Sequence, residues 1–351
     1  MNATAVEIIS SRAVPLGGPR AMTVHRTLPH RQRSLIGAWC FVDHFGPDDV
    51  SKTGGMDVAP HPHTGLQTGG MDVAPHPHTG LQTATWLFTG EISHIDAGGG
   101  RGFVHPGEFY LMTAGDGISH TETTTEKTTI LHGVQLWIAL PDATRSTAER
   151  DLAYFKPPAT ELDGGQLKVF MGELMGASSP VHSHTPMVGA EITIDPRSEI
   201  VLDLNPEFEH GVIADSGTIV VADTELEKTQ IGYTGIGETR LRIRNDSDDM
   251  GRALFIGGEP LREEILMWWN FIGRDHDEIV RFRDTWQASQ GEDVDGQFGF
   301  VDGYIGHGGV GEDGLGRNAD GMTWLPAPNL PNARMRPRTL TEPVARPNTK
   351  I

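Results

Sequence analysis

Short runs of apolar residues recur along most of the chain, and each run ends at glycine, proline, aspartate or asparagine. Runs of this length, separated by turn residues, are typical of the strands in β-sandwiches and β-barrels. The pattern therefore predicts an all-β fold in two halves, joined by a linker-like stretch at residues 145–163. The clearest predicted strands are residues 83–88, 130–140, 189–194, 200–204, 218–222, 239–244 and 253–256.

One segment near the end departs from this pattern and predicts a helix over residues 275–290. Ile279, Phe282 and Trp286 are spaced three and four residues apart, which places them on one helical face, and acidic residues fill the first turn. From residue 291 the chain is rich in glycine, then in proline and arginine. We expect this tail to be extended or wrapped over the body, and partly disordered.

A histidine-containing block occurs twice in the first half. Residues 53–67 and 68–82 both read TGGMDVAPHPHTGLQ, and His120 and Glu122 follow the second copy after about forty residues. Side chains two positions apart on a strand point to the same face, so His76 and His78 would project together, as would His120 and Glu122. On two adjacent strands these three imidazoles and one carboxylate could converge to bind a divalent transition metal.

The residues after each copy indicate which histidines are the ligands. The second copy continues directly into the predicted strand at residues 83–88, whereas the first continues into Thr68-Gly69-Gly70, which would end a strand. We therefore predict His76 and His78 as ligands. His61 and His63 of the first copy are expected in an extruded loop with no role in binding the metal.

Composition limits the other possible functions. The 47 acidic and 28 basic residues give a formal net charge of −19, which argues against direct binding to nucleic acid or to anionic membranes. The single cysteine, Cys40, excludes an intramolecular disulfide framework and is expected to be buried. No signal peptide and no membrane-spanning apolar stretch is evident, so we predict a soluble cytoplasmic protein.

The remaining histidines are interpreted mainly as structural. His182 and His184 form a second His-x-His pair, but no His-x-Glu follows it, and we interpret them as surface or hairpin residues. His210 is isolated, so the second half is predicted to bind no metal. Three others are interpreted either as hydrogen-bonded core or loop residues or as groups that orient the ligands: His94, His105 and His132.

Taken in order, the motifs of the chain resemble those of the pirin family, a branch of the cupin superfamily. The matching stretches are HPHTGLQT at residues 76–83, PGE at 106–108, MTAGDGISHTE at 112–122, HGVQLW at 132–137 and GEPLRE at 258–263. The resemblance implies two tandem cupin (jelly-roll) β-barrels with a C-terminal helix. Residues 1–155 would form the metal-binding barrel, residues 156–290 a barrel without metal that ends in the helix, and residues 291–351 the tail.

The resemblance also implies a metal and a function. His76, His78, His120 and Glu122 would bind one divalent transition metal, with iron(II) expected first and copper, nickel, manganese or zinc as alternatives. Some pirins resemble quercetin 2,3-dioxygenases, so the expected substrates are an aromatic flavonol such as quercetin and O₂. Glu122 would then be both ligand and catalytic base. The alternative is a non-catalytic, iron-dependent regulatory protein that binds other proteins.

Overall fold

The fold is that of a computed structural model, which describes residues 6–15, 22–50 and 71–340. The first histidine copy, with His61 and His63, lies outside these residues, and so does the end of the tail. Of the second copy, residues 71–82 are described.

The first twelve strands lie between residues 7 and 155. They are β1 (Glu7–Ile9), β2 (Arg12–Pro15), β3 (Thr23–Leu28), β4 (Trp39–Asp49), β5 (Asp72–His78), β6 (Leu81–Thr89), β7 (Ile92–Asp96), β8 (Arg101–Val104), β9 (Phe109–Thr113), β10 (Ile118–Thr124), β11 (Ile130–Ala139) and β12 (Asp151–Phe155).

The second part of the chain contains the remaining strands and one helix. They are β13 (Thr160–Leu162), β14 (Gly165–Met171), β15 (Glu173–Leu174), β16 (Ala177–Ser178), β17 (Met187–Ile194), β18 (Glu199–Asp203), β19 (Glu209–Ser216), β20 (Ile219–Val221), β21 (Thr224–Leu226), β22 (Ile231–Thr234), β23 (Arg240–Asn245), β24 (Gly251–Gly258), β25 (Leu266–Trp268), β26 (Phe271–Gly273), α1 (His276–Ser289), β27 (Gly309–Val310) and β28 (Gly316–Arg317).

Two pairs of sheets form the two barrels, which confirms the predicted all-β fold. The first barrel combines a seven-stranded sheet, β12-β9-β6-β11-β4-β3-β2, with a four-stranded sheet, β5-β10-β7-β8. The second combines β1-β22-β19-β24-β17-β14-β13 with β18-β23-β20-β21. Strand β1 thus belongs to a sheet of the second barrel. The division of the chain into domains at residues 155 and 290 stays a prediction.

The linker-like stretch is the main local difference from the sequence analysis. Residues 145–163 contain two strands, β12, which pairs with β9, and β13, which pairs with β14. Both are edge strands of their sheets. Their residues are only half-buried or exposed, so they lack the apolar run by which the buried strands were recognised.

One hydrophobic cluster continues from the first barrel into the second. It contains Trp39 and Trp86 of the first barrel and Phe170, Ile213 and Ile256 of the second. The Trp39 indole N–H donates to two backbone carbonyls of the second barrel, those of Val188 at 3.2 Å and Gly257 at 3.1 Å. The two barrels therefore share a core.

The helix α1 begins and ends as its sequence predicts. Asp275 precedes it, and its carboxylate accepts a hydrogen bond from the backbone N–H of Glu278 at 2.9 Å, which satisfies one free donor of the first turn. Ile279, Phe282 and Trp286 are buried, as expected from their spacing. No helix in the described part of the chain is long and apolar enough to cross a membrane.

The described part of the tail packs against the edge of the small sheet in the first barrel. Val301 and Tyr304 are buried against Ala74 of β5. The backbone N–H of Leu325 donates to the carbonyl of Pro75 at 2.9 Å. This segment therefore wraps over the body, and it covers the strand that carries the first two predicted ligands.

Candidate metal centre

The predicted ligands lie on two neighbouring antiparallel strands. His76 on β5 pairs directly with His120 on β10, and Ile118 pairs with His78. Strand β5 is the edge of its sheet, which tolerates the missing N–H of Pro77. The alternation of side chains thus brings the three imidazoles to one face, as the sequence predicted.

Together the three histidines form a compact buried group. Their ring centroids are 4.3 Å apart for His76 and His120, 4.9 Å for His78 and His120, and 5.1 Å for His76 and His78. One ring nitrogen from each lies within 4.8 Å of the others, and all three side chains are buried. This group is a metal-binding site.

Burial keeps the imidazoles in the form that binds metals. Desolvation lowers the pKa of His76 to about 4. It also lowers the pKa values of His78 and His120 well below their usual range, and the neighbouring imidazoles add to that effect. All three are therefore neutral at pH 7, each with one nitrogen lone pair available to a cation.

Hydrogen bonds determine which nitrogen of His76 and His78 carries the proton. His76 Nδ1 lies 3.0 Å from the carbonyl oxygen of Ala74, and His78 Nδ1 lies 3.2 Å from that of Asn270. Because a carbonyl only accepts, each Nδ1 carries the proton and each Nε2 keeps its lone pair. Asn270 lies between β25 and β26, so the chain after the second barrel orients a ligand of the first.

A chain of polar contacts gives His120 the same tautomer. His94 Nε2 lies 3.2 Å from Asp96 Oδ2, and His94 Nδ1 lies 3.4 Å from His120 Nδ1. If His94 donates to Asp96, its Nδ1 accepts the proton of His120 Nδ1. That leaves the lone pair on His120 Nε2, which is buried and has no hydrogen-bond partner. An unpartnered buried nitrogen facing two other imidazoles fits a metal ligand.

We expect His94→Ala to weaken metal binding by about 10- to 100-fold, because the group that fixes the His120 tautomer is lost. Titration of the purified protein with zinc against a competing chelator would measure this. His105→Ala is the matched control, since His105 is nearby in sequence but half-exposed and hydrogen-bonded to Glu91 and Glu108. Equal affinities of the His94 variant and wild type would contradict this role.

Glu122 is buried beside the group, but the compact cluster consists of the three histidines. A register shift between His120 and Glu122 pairs Glu122 with Val73, leaving an extra residue on β5. The Thr85 hydroxyl lies 2.8 Å from Glu122 Oε1 and 2.7 Å from Gln135 Oε1, so these two acceptors compete for its one proton. Burial raises the pKa of this carboxyl, and His94 and the Thr85 hydrogen bond oppose that effect. Its role as fourth ligand and base stays a prediction.

Aromatic side chains lie against one side of the centre. The Trp137 ring meets His78 edge-on, with centroids 5.1 Å apart, and stacks on Phe41 at 4.1 Å. The Arg26 guanidinium lies over the Phe41 ring, 4.4 Å from its centroid. One side of His78 is therefore aromatic.

The other histidines have varied surroundings. His182 is exposed and His184 half-buried, outside any strand, in agreement with their interpretation as surface residues. His210 is buried against Phe255 in the second barrel. His132 does not contact the predicted ligands but lies between the barrels beside Asp215. Cys40 is fully buried, as expected.

Both halves of the chain match known protein families. The family described as Pirin matches residues 66–138, and the family described as Pirin C-terminal cupin domain matches residues 189–291. A Pseudomonas aeruginosa protein named "Putative quercetin 2,3-dioxygenase" is 36% identical over 294 residues, which cover 84% of this chain and 86% of that protein. A "Pirin-like protein" of Caulobacter vibrioides is 29% identical over 280 residues, covering 76% and 88% of the two chains.

Solved structures agree with the sequence comparison. The crystal structure of a quercetin 2,3-dioxygenase from Acinetobacter baumannii is 35% identical and superposes with a TM-score of 0.78. The alignment covers 95% of this chain and 97% of that one. It therefore spans both barrels, the helix and most of the tail.

Proposed function

This chain belongs to the pirin family, and on that premise we propose that it is a metal-dependent dioxygenase that opens the heterocycle of flavonols such as quercetin. The observation that carries the proposal is the buried group of His76, His78 and His120, each with its Nε2 lone pair available. Relatives named "Quercetin 2,3-dioxygenase", at 35% identity, and "Putative quercetin 2,3-dioxygenase", at 36%, support the choice of substrate. We propose iron(II) as the metal.

Three imidazoles with one carboxylate suit a divalent transition metal. Neutral imidazoles bind iron, copper, nickel and zinc, and a carboxylate as fourth ligand would favour the harder ions of that group. A divalent transition metal bound here would supply a Lewis acid and a template for flavonol and O₂. We assign Glu122 as the fourth ligand, since it lies two residues from His120 on the same strand.

The chain's own residues would orient the substrate and accept its proton. The Thr85 hydroxyl holds Glu122 Oε1, which leaves Oε2 able to accept the proton of the flavonol hydroxyl. The buried position of Glu122 limits competition by water, and a carboxylate beside a bound cation stays ionised and able to accept a proton. The aromatic pair of Trp137 and Phe41 offers an apolar wall suited to a planar substrate.

We expect Glu122→Gln to lower the turnover of quercetin by about 10²- to 10⁴-fold, because the amide cannot accept the proton of the hydroxyl. Turnover is measured as O₂ uptake and as loss of quercetin absorbance, with the metal content of each sample determined. Glu209→Gln is the matched control, since it neutralises a buried carboxyl of the second barrel. Full turnover by a metal-loaded Glu122→Ala variant would show that Glu122 is not the base.

The same assay separates the proposed enzyme from the alternative function. A wild-type protein with full metal occupancy that turns over no flavonol would be inconsistent with the dioxygenase. That result would favour the non-catalytic, metal-dependent protein that binds other proteins.

A further inference from the structure

A second group of potential metal ligands lies between the two barrels. His44 on β4 and His132 on β11 belong to the first barrel, and Asp215 on β19 belongs to the second. His44 Nε2 is 2.8 Å and His132 Nε2 is 2.7 Å from Asp215 Oδ1, and the two Nε2 atoms are 3.3 Å apart. All three side chains are buried, Asp215 to 2% exposure.

The two Nε2 atoms lie in hydrogen-bond geometry toward each other, and the tautomers decide which one donates. Despite the short distances, Asp215 Oδ1 has no hydrogen bond of acceptable geometry. The in-plane direction of each Nε2 therefore does not point at that oxygen. Ligands bonded at about 2.1 Å to one cation are separated by about 3 Å at right angles and by about 3.4 Å in the tetrahedral set that zinc prefers. The 3.3 Å between the two Nε2 atoms lies in that range, and the distances of 2.8 and 2.7 Å to Asp215 Oδ1 are a few tenths of an ångström shorter.

We propose that His44, His132 and Asp215 bind a second divalent transition-metal ion, which joins the two barrels. Two imidazoles and one carboxylate form a set that zinc and iron(II) accept. The site is separate from the His76 group, since the two share no residue. The proposal does not depend on the dioxygenase function.

The surrounding charges affect which cation would bind. Arg252 Nε donates to Asp215 Oδ2 at 2.7 Å, and its guanidinium lies 3.9 Å from the centroid of Phe88. This contact orients the carboxylate and leaves Oδ1 for the metal. Because the arginine offsets the carboxylate charge, the site should discriminate against calcium and magnesium, which need several oxygen ligands, in favour of ions that bind imidazole.

The decisive experiment removes the first site and measures the zinc that remains. We would purify the full-length chain without a histidine tag, as wild type and as the triple variant His76→Ala/His78→Ala/His120→Ala. Both are refolded with Zn²⁺, dialysed to remove loosely bound metal and analysed for elemental content. We expect about two zinc ions per wild-type chain and about one per triple-variant chain.

A fourth substitution then tests whether His132 binds the zinc ion that remains. Adding His132→Phe to the triple variant should reduce bound zinc at least tenfold, whereas adding His210→Phe, which replaces a buried histidine outside both groups, should leave it unchanged. Far-UV circular dichroism verifies that each variant is folded. The proposal is overturned if the triple variant retains no stoichiometric zinc, if wild type binds only one zinc ion, or if zinc persists after His132→Phe. Asp215 would then only hold the barrels together by charge.

Discussion

Replacing His120 by alanine is expected to lower the affinity of the first site for a divalent transition metal by at least about 100-fold. The estimate follows from the loss of a direct ligand, since removal of a group that only supports a ligand already costs 10- to 100-fold. His120 Nε2 is buried without a hydrogen-bond partner, which leaves its lone pair for the metal. Turnover of quercetin should fall with the metal.

Competitive titration with zinc or iron(II) would measure the affinity, and elemental analysis would measure the metal that is purified with the protein. His210→Ala serves as the control, because it deletes a buried histidine of the second barrel without touching the centre. A His120 variant with wild-type affinity would contradict the assignment of this ligand.

The duplicated block provides a second, independent control. His76→Ala should abolish metal binding at the centre, because it removes one of the three converging imidazoles. His61→Ala changes the equivalent histidine of the first copy and should leave binding unchanged. Equal losses from the two substitutions would show that the copies had been assigned wrongly.

The sequence was sufficient for the longer buried strands and for the shared face of each histidine pair, because both follow from short periods. Alternation along β5 places His76 and His78 on one face, and they converge with His120 because β10 pairs with β5. The helix was equally predictable, since Ile279, Phe282 and Trp286 repeat at helical spacing and Asp275 precedes them. Within each strand and within the helix, the residues that set the pattern are neighbours along the chain.

Features that depend on distant segments could not be predicted in the same way. The Asn270 carbonyl reaches His78 across 192 residues of sequence, and no pattern near either residue indicates the contact. The register shift opposite Glu122 depends on how β5 pairs with β10, and a simple two-residue alternation misses it. The contact of His132 with Asp215 requires the docking of the second barrel on the first.

Replacing Trp86 by alanine is expected to lower the free energy of unfolding by about 3–5 kcal/mol, the usual cost of deleting a large buried aromatic side chain. Trp86 is fully buried on β6, and its ring packs against Phe170 of the second barrel, with centroids 4.8 Å apart. Its indole N–H donates to Glu191 Oε2 at 2.8 Å. The substitution therefore leaves a cavity in the shared core and removes a donor from a buried carboxylate.

Urea denaturation monitored by far-UV circular dichroism would measure the loss of unfolding free energy. The variant Trp86→Phe would help to separate the contribution of the indole N–H from that of the ring. Phenylalanine keeps an aromatic ring but removes the N–H and part of the indole, so we expect it to cost at least about 1.5–3 kcal/mol, the range for a hydrogen bond to a charged group. Trp269→Ala is the control for losing an indole, since Trp269 is only half-buried and lies outside the shared core.

Because Trp86 contacts both barrels, its loss should lower the denaturation midpoint of the whole chain in one transition. A variant in which the first barrel alone unfolds earlier would show that the barrels are stabilised separately, and that the shared core contributes little to the stability of the second.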